Sequence, residues 1–436
     1  MASILHRSGP FEQRNPRLFV WFTTLYNTRA YYPILAVFFT DLGLSLDQYV
    51  LLNAVWAASI FLLEVPSGAL ADTLGRKRLL VFSASVMVVE MGVLLVAPKD
   101  GGWVLFSLCV LNRFLSGASE AAASGADEAI AYDALPETNR AAMWDEVLAA
   151  AMRWRAAGFL VAMTLGGFLY DPSWLKKFGM GIPVDLAHRL PVALVFLQAL
   201  ACLFIALRFE ETRRAPRTDG HECAGAWKLT LATAKRALTT RSIAIVLLGA
   251  VLIDAVVRNF ATLNSAYYRL IHLPEWSFGL IGSLIAVGNW FLPAIAKRVN
   301  QSLSTTVSLI AAGGVTAVLL VLVAPAWPFA GVAPAMLLMM MLGFVSFTVS
   351  RFLHSVATSS ERATLLSVKG LIFNLGYGAY SLAFSGLLAA MRTTGSDASA
   401  FPRALAWQAG GFAVALAAYA WVCRCMNRAG RGKKPV

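Results

Sequence analysis

Three ionisable residues, Arg113, Glu120 and Asp127, stand seven apart in a segment made otherwise of apolar and small residues. Seven residues complete almost two α-helical turns with a slip of about 20°, so the three side chains are predicted to share one helix face. In an apolar environment such a stripe binds a charged solute, exchanges a proton, or pairs with neighbouring helices and holds the fold together. We expect Arg113 and Glu120 to face a water-filled interior.

Other apolar segments also contain ionisable residues, at Arg29, Asp254, Arg258 and Lys369. Arg29 lies in the sequence YNTRAYYP, which combines aromatic surface, hydrogen-bonding groups and a helix-perturbing proline, a suitable lining for a binding site. Asp254 and Arg258 are four residues apart and therefore adjacent on a helix. They either neutralise each other or contribute to a site.

A second group of charges flanks the turn at residues 136–140. Asp127 and Glu128 precede this turn, and Arg153 and Arg155 follow it at a similar depth. Buried charges of opposite sign at one depth favour mutual pairing. We therefore expect Asp127, Glu128 and Arg153 to form a structural ion-pair cluster.

The composition places these residues in a membrane protein. Of 436 residues, 58% are hydrophobic and 14% are charged, and the mean hydropathy is +0.65, whereas ordinary globular domains carry about a quarter charged residues. The net charge of +13 does not indicate nucleic-acid binding, because Lys and Arg stand in short connections between apolar runs, as topology signals do. The cysteines show no metal-ligand spacing, so neither a metal nor another cofactor is expected.

Apolar runs long enough to cross a membrane recur along the chain, and each needs about 20 residues as a helix. We place twelve of them, at residues 18–41, 49–70, 79–98, 103–131, 147–170, 191–208, 243–271, 277–296, 303–324, 327–350, 364–391 and 404–423. The sequence thus predicts an all-α membrane protein with twelve transmembrane helices in two pseudo-symmetric six-helix halves. The halves are residues 1–208 and 243–436, the second with a basic tail, and the polar linker 209–242 contains a predicted amphipathic helix at 227–238.

Basic residues are concentrated in the connections on one side of the predicted helices. This side carries the N-terminus, Arg76 to Arg78, Arg140, the linker, Lys297 and Arg298, Arg362 and the C-terminal tail. Because cytoplasmic loops are enriched in Lys and Arg, both termini and the linker are predicted to be cytoplasmic, in the plasma (inner) membrane. We call the end of the helices at connections 75–78, 133–140 and 297–304 the basic end, and the end at connections 42–45, 97–101 and 171–183 the opposite end.

A glycine-rich and basic motif, GALADTLGRKR, joins the second and third predicted helices from Gly68 to Arg78. It resembles the signature cytoplasmic loop of the major facilitator superfamily. In that family the loop helps to close the cytoplasmic side, so the resemblance implies a gating role for Asp72 and Arg76. The whole gating motif comprises Glu64, Gly68, Asp72, Gly75, Arg76 and Lys77. Gly68 permits close helix approach, and Gly75 permits a turn with positive φ. Glu64 is either a functional intramembrane group or a carboxylate that reaches interfacial water.

The fourth helix carries a second, partial resemblance. Arg113 and Gly117 match the family's motif of an Arg followed four residues later by Gly, which is implicated there in proton coupling, but Ser116 stands where the family usually has Gln. In this fold the first, fourth, seventh and tenth helices line the central cavity. The resemblance therefore implies substrate or proton sites at Arg29, Arg113, Glu120, Asp254 and Arg258.

Two sequence patterns are missing. Drug/proton antiporters of the superfamily usually carry a Gly-Pro-Gly-Gly-like motif in the fifth helix, whereas residues 158–167, GFLVAMTLGG, lack the proline, which weakens the case for antiport. The chain also lacks a Walker-type loop and a catalytic or metal-ligand pattern, so we expect neither ATP-driven transport nor enzyme activity.

The resemblance implies a secondary active transporter that moves a small solute by alternating access, with protons as the expected coupling ion. The cavity arginines favour an anionic or zwitterionic solute, whereas Glu120 and Asp254 suit a cation or a proton. The alternatives are a transport-inactive receptor of the same fold, an efflux pump for amphipathic drugs, or a membrane-embedded enzyme. We expect a monomer whose partners are its solute, protons and the lipid bilayer.

Overall fold

The computed structural model describes residues 9–211, 232–236, 238–356, 362–393 and 397–431, except the side chains of residues 69, 72–73, 362–364, 393, 397–398 and 427–431. Within these ranges the regular elements are all helical. They are α1 (Arg14–Asn27), α2 (Leu35–Asp41), α3 (Leu46–Leu74), α4 (Arg76–Val96), α5 (Gly102–Ala123), α6 (Ala126–Tyr132), α7 (Arg140–Tyr170), α8 (Pro172–Lys177), α9 (Val184–Arg208), α10 (Arg241–Thr262), α11 (Asn264–Leu270), α12 (Trp276–Ser302), α13 (Thr305–Val323), α14 (Val332–Val356), α15 (Arg362–Thr393) and α16 (Asp397–Arg431).

Ten helices in the described part of the chain are long and apolar enough to cross a membrane. They correspond to every predicted span except the first and the fourth. The first span divides into shorter pieces, and the fourth contains α5, whose Asn112, Arg113 and Glu120 reduce its apolar character. The all-α polytopic architecture is therefore confirmed, while the count of twelve spans stays a prediction.

The first and seventh predicted spans are each divided into shorter helices. α1 ends at Asn27, and a short 3-10 turn at Tyr32–Ile34 precedes α2. In the seventh span, Leu263 separates α10 from α11. Such discontinuous helices place unpaired backbone groups inside a membrane protein, which is tolerated where protein or a cavity surrounds them.

The fourth predicted span is broken at Gly125, whose φ of 74° lies in the left-handed region that favours glycine. α5 ends just before this residue and α6 begins just after it. The prediction that Arg113, Glu120 and Asp127 share one helix face is therefore wrong for Asp127, because the helix is continuous from Arg113 to Glu120 only.

The N-terminal helices α1–α9 and the C-terminal helices α10–α16 meet chiefly where α3 packs on α15 and α7 packs on α12. The second contact is close because Gly279 of α12 has no side chain. A Cβ atom at this position would overlap the carbonyl oxygen of Met163 in α7. Small residues allow such close approach between membrane helices.

A backbone contact also links the two sets of helices at the opposite end. α2 starts after the break in the first span, so its first amide groups lack intrahelical acceptors. The hydroxyl of Ser265 in α11 accepts hydrogen bonds from the amides of Ala36, at 3.0 Å, and Val37, at 3.3 Å. Ser265 is fully buried, so a side chain from one half caps a helix of the other.

Most of the predicted linker lies outside the described residues, including half of the predicted amphipathic helix at 227–238. The domain boundaries at 208 and 243 and the amphipathic helix therefore stay predictions.

Candidate functional site

A cavity of about 260 Å³ lies between the two sets of helices. Its wall combines charged, aromatic and polar side chains from both sets: Arg29, Tyr31, Tyr32, Leu35, Asn53, Trp56, Arg113, Ser116, Glu120, Met163, Arg258, Ala261, Thr262, Asn264 and Tyr377. Four of the five predicted substrate or proton residues thus lie around one space. The breaks in the first and seventh spans are next to it, at Leu35 and at Thr262 to Asn264.

A larger groove of about 510 Å³ runs between α10, α15 and α16. Its wall is almost wholly apolar and includes Trp407, which is 68% exposed. A groove without charged groups offers a surface to lipid chains and little that would recognise a polar solute. We therefore assign the candidate site to the smaller, charged cavity.

Arg29 forms an ion pair with Glu90 of α4 behind the cavity wall. Its Nη1 atom lies 2.9 Å from Oε1 of Glu90 and 3.1 Å from the hydroxyl oxygen of Tyr31. The two charged side chains are only 4% and 0% exposed. Glu90 is absent from the sequence-based candidates, although a single carboxylate within the apolar run VMVVEMGVLLV was a visible signal.

Arg113 lies in the same wall and has no carboxylate partner among the described residues. The residue is 6% exposed, and its Nε and Nη2 atoms have no hydrogen-bond acceptor in the described part of the chain. Its guanidinium carbon lies 4.8 Å from the centre of the Phe39 ring. A cation over an aromatic ring gains about 2 kcal/mol when desolvated, which offsets only part of the several kcal/mol that burial of a charge costs.

Arg258 enters the cavity from α10. Its guanidinium lies 2.8 Å from Oδ2 of Asp254, one turn earlier on the same helix, and it donates to the side-chain oxygen of Asn374 at 3.1 Å. Asp254 is buried and does not itself line the cavity. The structure therefore places Arg258 in the site and Asp254 behind it, as the group that holds the arginine.

Glu120 follows Arg113 on α5 at a distance of about 10 Å along the helix axis, since each residue rises 1.5 Å. It lies nearer the basic end and is exposed toward the cavity. Glu64 of α3 is close enough to interact electrostatically with Glu120, and its Oε2 atom has no hydrogen-bond partner among the described residues. Two neighbouring carboxylates can share one proton.

At the opposite end an ion-pair network joins the two sets of helices. The guanidinium of Arg269 in α11 donates to both carboxylate oxygens of Asp41 in α2, at 2.6 and 2.7 Å. Tyr170 donates to the same carboxylate at 2.6 Å, and Glu275 also pairs with Arg269. Sequence patterns did not single out these residues, because they lie at helix ends, where charge is ordinary.

A second connection at this end joins α3 to α15. Asp47 pairs with Arg392 at 3.0 Å, and the backbone oxygen of Asp47 accepts a hydrogen bond from Ser385 at 2.8 Å. The opposite end is therefore closed above the cavity by contacts on two sides.

The gating motif lies at the basic end, and the hydrogen bonds and ion pair that its described residues Arg76 and Lys77 form are with residues of the same half. Gly75 has the predicted positive φ, 96°, and the amides of Arg76 and Lys77 donate to the carboxylate of Glu211 at 2.9 and 3.0 Å. The Arg76 side chain pairs with Asp133 at 2.5 Å. Between the described residues of α1–α9 and those of α10–α16, no hydrogen bond or ion pair forms at this end.

Gly68 and Asp72 also belong to the gating motif. Gly68 is exposed, and a Cβ added to it would meet nothing within 4 Å. No close helix approach is therefore present at Gly68 itself in this conformation, although the adjacent Ser67 donates a hydrogen bond to the Ala121 carbonyl of α5 at 2.6 Å. The side chain of Asp72 lies outside the described residues.

The expected cluster of Asp127, Glu128 and Arg153 is not formed. No ion pair joins these residues within the described part of the chain; instead, Oδ1 of Asp127 accepts a hydrogen bond from the Glu128 amide at 2.8 Å, and Nε of Arg153 donates to the Ala149 carbonyl at 3.2 Å. The physical reason is the break at Gly125, which gives α6 a direction of its own.

Comparison with solved structures finds the same fold in membrane transporters. A mutant form of the nucleoside transporter NupG aligns with a TM-score of 0.69 at 13% identity, over 93% of this chain and 98% of that one. A D-xylose–proton symporter aligns with a TM-score of 0.57 at 15% identity, over 92% and 95% of the chains. A bacterial homologue of the human lysosomal transporter Spinster, in an inward-facing and unoccupied conformation, gives 0.63 at 16% identity and 96% of both chains.

Identities this low establish the fold and leave the solute open. No curated protein sequence matches the chain. A family model described as "Major Facilitator Superfamily" matches residues 18–381, which is most of the chain. Together with the apolar helices and the transporter fold, this match shows that the chain is an integral multi-pass membrane protein that belongs to the major facilitator superfamily.

Proposed function

We propose that this protein is a secondary active transporter that moves a small solute by alternating access, with the solute bound in the cavity around Arg113 and Glu120. The observation that carries the proposal is the uneven distribution, among the described residues, of the ion pairs between the halves around that cavity. Contacts between the halves seal the opposite end, at Asp41 with Arg269 and at Asp47 with Arg392, whereas such contacts are lacking between described residues at the basic end. A rocking motion of the two halves would part the contacts at the opposite end and bring the halves together at the basic end.

The basic end is proposed to be cytoplasmic, in the plasma (inner) membrane, because of its Lys and Arg residues. In that orientation the structure is an inward-facing state. In a variant whose native cysteines are replaced by Ser, a single cysteine introduced at position 220 of the linker should then resist an impermeant thiol reagent in intact cells and react after the cells are opened. Strong labelling from outside would contradict this orientation.

The gating motif is proposed to act when the basic end closes. Asp72 and Arg76 would then contact helix ends of the neighbouring half, as the family resemblance implies. In the state described here Arg76 is held by Asp133 of its own half. When Arg76 leaves Asp133 and contacts a helix end of the neighbouring half, the closed basic end gains a contact that the open one lacks.

Proton coupling is proposed to use Glu120. This carboxylate is exposed to the cavity near its mouth, whereas Glu90 and Asp254 are held in ion pairs with arginines. A carboxyl group in such a place changes protonation with water access and with the nearness of a cation. Glu120 is therefore free to exchange a proton with the side to which the cavity is open.

The test uses the solute that stabilises the purified protein most strongly in a thermal-shift screen. In proteoliposomes, Glu120→Gln should still exchange labelled solute across the membrane but lose accumulation driven by a pH gradient. Glu137→Gln, on the exposed turn at the basic end, is the control and should accumulate solute normally. Normal pH-driven accumulation by Glu120→Gln would remove the coupling role, and binding without any exchange in the unmodified protein would favour a receptor.

A further inference from the structure

The charged side chains of the cavity wall, together with the charged side chains that pair with them or act on them electrostatically, are called the interior set. Among the described residues its basic members are Arg29, Arg113, Arg258 and Lys369, and its acidic members are Glu64, Glu90, Glu120 and Asp254. Four of these form two ion pairs, Arg29 with Glu90 and Arg258 with Asp254. When every group is ionised, this interior set around the cavity therefore carries no net charge.

In the cavity wall, the two groups without an ion-pair partner among the described residues are Arg113 and Glu120. Arg113 is 6% exposed, and burial of an unpaired cation is costly. A planar guanidinium matches a carboxylate or sulfonate through two parallel hydrogen bonds. Arg113 thus fits the charged group of an anionic solute.

The rest of the wall fits an apolar or aromatic body. Trp56 and Tyr377 approach each other edge to face, with ring centres 6.2 Å apart, across the contact between α3 and α15. Tyr32, Leu35 and Met163 complete an apolar surface around the same space. Aromatic side chains offer large contact area to a flat solute at low entropic cost.

The charge balance then links the anion to a proton. The charged or titratable groups that act on Glu120 from the helices around it are Arg29, Glu64, Glu90, Arg258, Tyr26 and Tyr32. One proton on Glu120, or shared with Glu64, leaves the interior with one excess positive charge. A singly charged anion at Arg113 removes that excess, so the loaded carrier is neutral, as is the empty, unprotonated carrier.

We propose that the protein carries a singly charged anion with an aromatic or apolar body together with one proton, in an electroneutral step. This proposal rests on the proposed transport function and on Glu120 as the proton carrier. The proton passes from water to a carboxylate of Glu120 or Glu64 and back to water on the other side, and no covalent bond of the solute changes. Partly loaded forms carry net charge through the low-dielectric interior, which penalises their reorientation.

Binding is tested first, by thermal stabilisation of the purified protein with benzenesulfonate and benzoate. Benzenesulfonamide and benzamide are the neutral analogues, and benzylamine is the cation. The two anions should stabilise the protein and the other three should not. Arg113→Gln should weaken anion binding by at least about tenfold, because one partner of a buried charge pair is lost; Arg113→Lys should bind with intermediate affinity. Arg298→Gln, exposed at the basic end, is the control and should bind normally.

Transport is tested with labelled benzenesulfonate, which stays ionised at neutral pH and cannot carry the proton itself. In proteoliposomes with the membrane potential clamped by potassium and valinomycin, an inward proton gradient should drive uptake. Uptake should change less than about twofold between inside-negative and inside-positive potentials, because no net charge moves. One proton should enter with each anion.

The outcomes separate this inference from the proposed function. Stabilisation without any flux contradicts transport itself. Flux that responds strongly to the membrane potential, or that brings no proton, leaves transport intact and overturns electroneutral coupling. Stabilisation by benzylamine or the neutral analogues, or by none of the compounds, overturns the solute class.

Discussion

Nη1 of Arg29 lies 2.9 Å from Oε1 of Glu90, and both side chains are almost fully buried between the first predicted span and α4. This pair fixes an arginine in the cavity wall. A buried pair adds little net stability over well-packed apolar residues, but the loss of one partner leaves an uncompensated charge. The two residues should therefore be replaceable together more easily than singly.

Glu90→Gln is expected to lower the free energy of unfolding by about 3–5 kcal/mol, because Arg29 then has no carboxylate partner. The double variant Arg29→Met with Glu90→Met should recover much of this loss. Thermal unfolding in detergent measures the effect. Glu210→Gln is the matched control, since Glu210 pairs with Arg14 at an exposed site and its loss should cost less than about 1 kcal/mol. Equal losses for the two glutamates would contradict a buried pair.

Gly279→Ala is expected to shift the protein toward a state that is open at the opposite end. The added Cβ would overlap the Met163 carbonyl oxygen in the closed arrangement, and backbone atoms cannot yield as a flexible side chain can. The test uses a variant with Asn53→Cys in the cavity wall and with Cys223 and Cys425 replaced by Ser. Labelling of the introduced thiol by an impermeant reagent, added from the opposite side, should accelerate at least about tenfold, because a shift of about 1.4 kcal/mol between the two states changes their ratio tenfold.

The control for this change is Gly314→Ala, because a Cβ at Gly314 in α13 meets nothing within 4 Å. It should leave the labelling rate unchanged. If Gly279→Ala also leaves the rate unchanged, α7 and α12 do not need this close contact to keep the end closed.

Asp41→Asn and Arg269→Gln should each accelerate the same labelling, because the two residues hold the halves together at the opposite end. Combined, they should have no more effect than either alone, and the interaction energy from this double-mutant cycle should be about 1–3 kcal/mol. Asp185→Asn, which breaks a pair with Lys99 within one half, is the control. Simple additivity of the two changes would show that they act through separate contacts.

Arg76→Gln is expected to lower stability by about 1–3 kcal/mol, since it removes a charged hydrogen bond to the partly buried Asp133. Exchange of solute in proteoliposomes should also slow, if the same arginine helps to close the basic end. Lys77→Gln is the neighbouring control, because the Lys77 contact with Glu211 uses its backbone amide. Similar losses for both variants would indicate a general effect of charge at this end.

The sequence was most informative where a pattern depends on local geometry. The GALADTLGRKR motif pointed to the superfamily, and the positive φ of Gly75 followed from the need for a tight turn. The periodicity of Arg113 and Glu120 placed both side chains in one cavity, because two turns of continuous helix separate them. Each of these inferences needs only a few residues along one stretch of chain.

Inferences that depend on three-dimensional packing were less accurate. Glu90, the partner of Arg29, is 61 residues away in the sequence, and Asp41 is 228 residues from Arg269. No local sequence pattern therefore predicts either pair. The break at Gly125 separated Asp127 from its expected helix face, since an isolated glycine in a helical pattern is compatible with either a continuous helix or a stop. Glu90 was visible as a lone carboxylate, but its function depends on a helix that the sequence does not place beside it.

The cap that Ser265 provides for α2 has a consequence for water. When the opposite end opens, the amides of Ala36 and Val37 lose their shared acceptor, and an unsatisfied buried amide costs about 1–3 kcal/mol. Water molecules must therefore enter as the halves part, so opening is a hydration step as well as a rigid-body motion. Its rate should fall when an impermeant osmolyte lowers the activity of water, and Ser265→Ala should reduce this osmotic sensitivity because the amides then lack the hydroxyl acceptor already in the closed state.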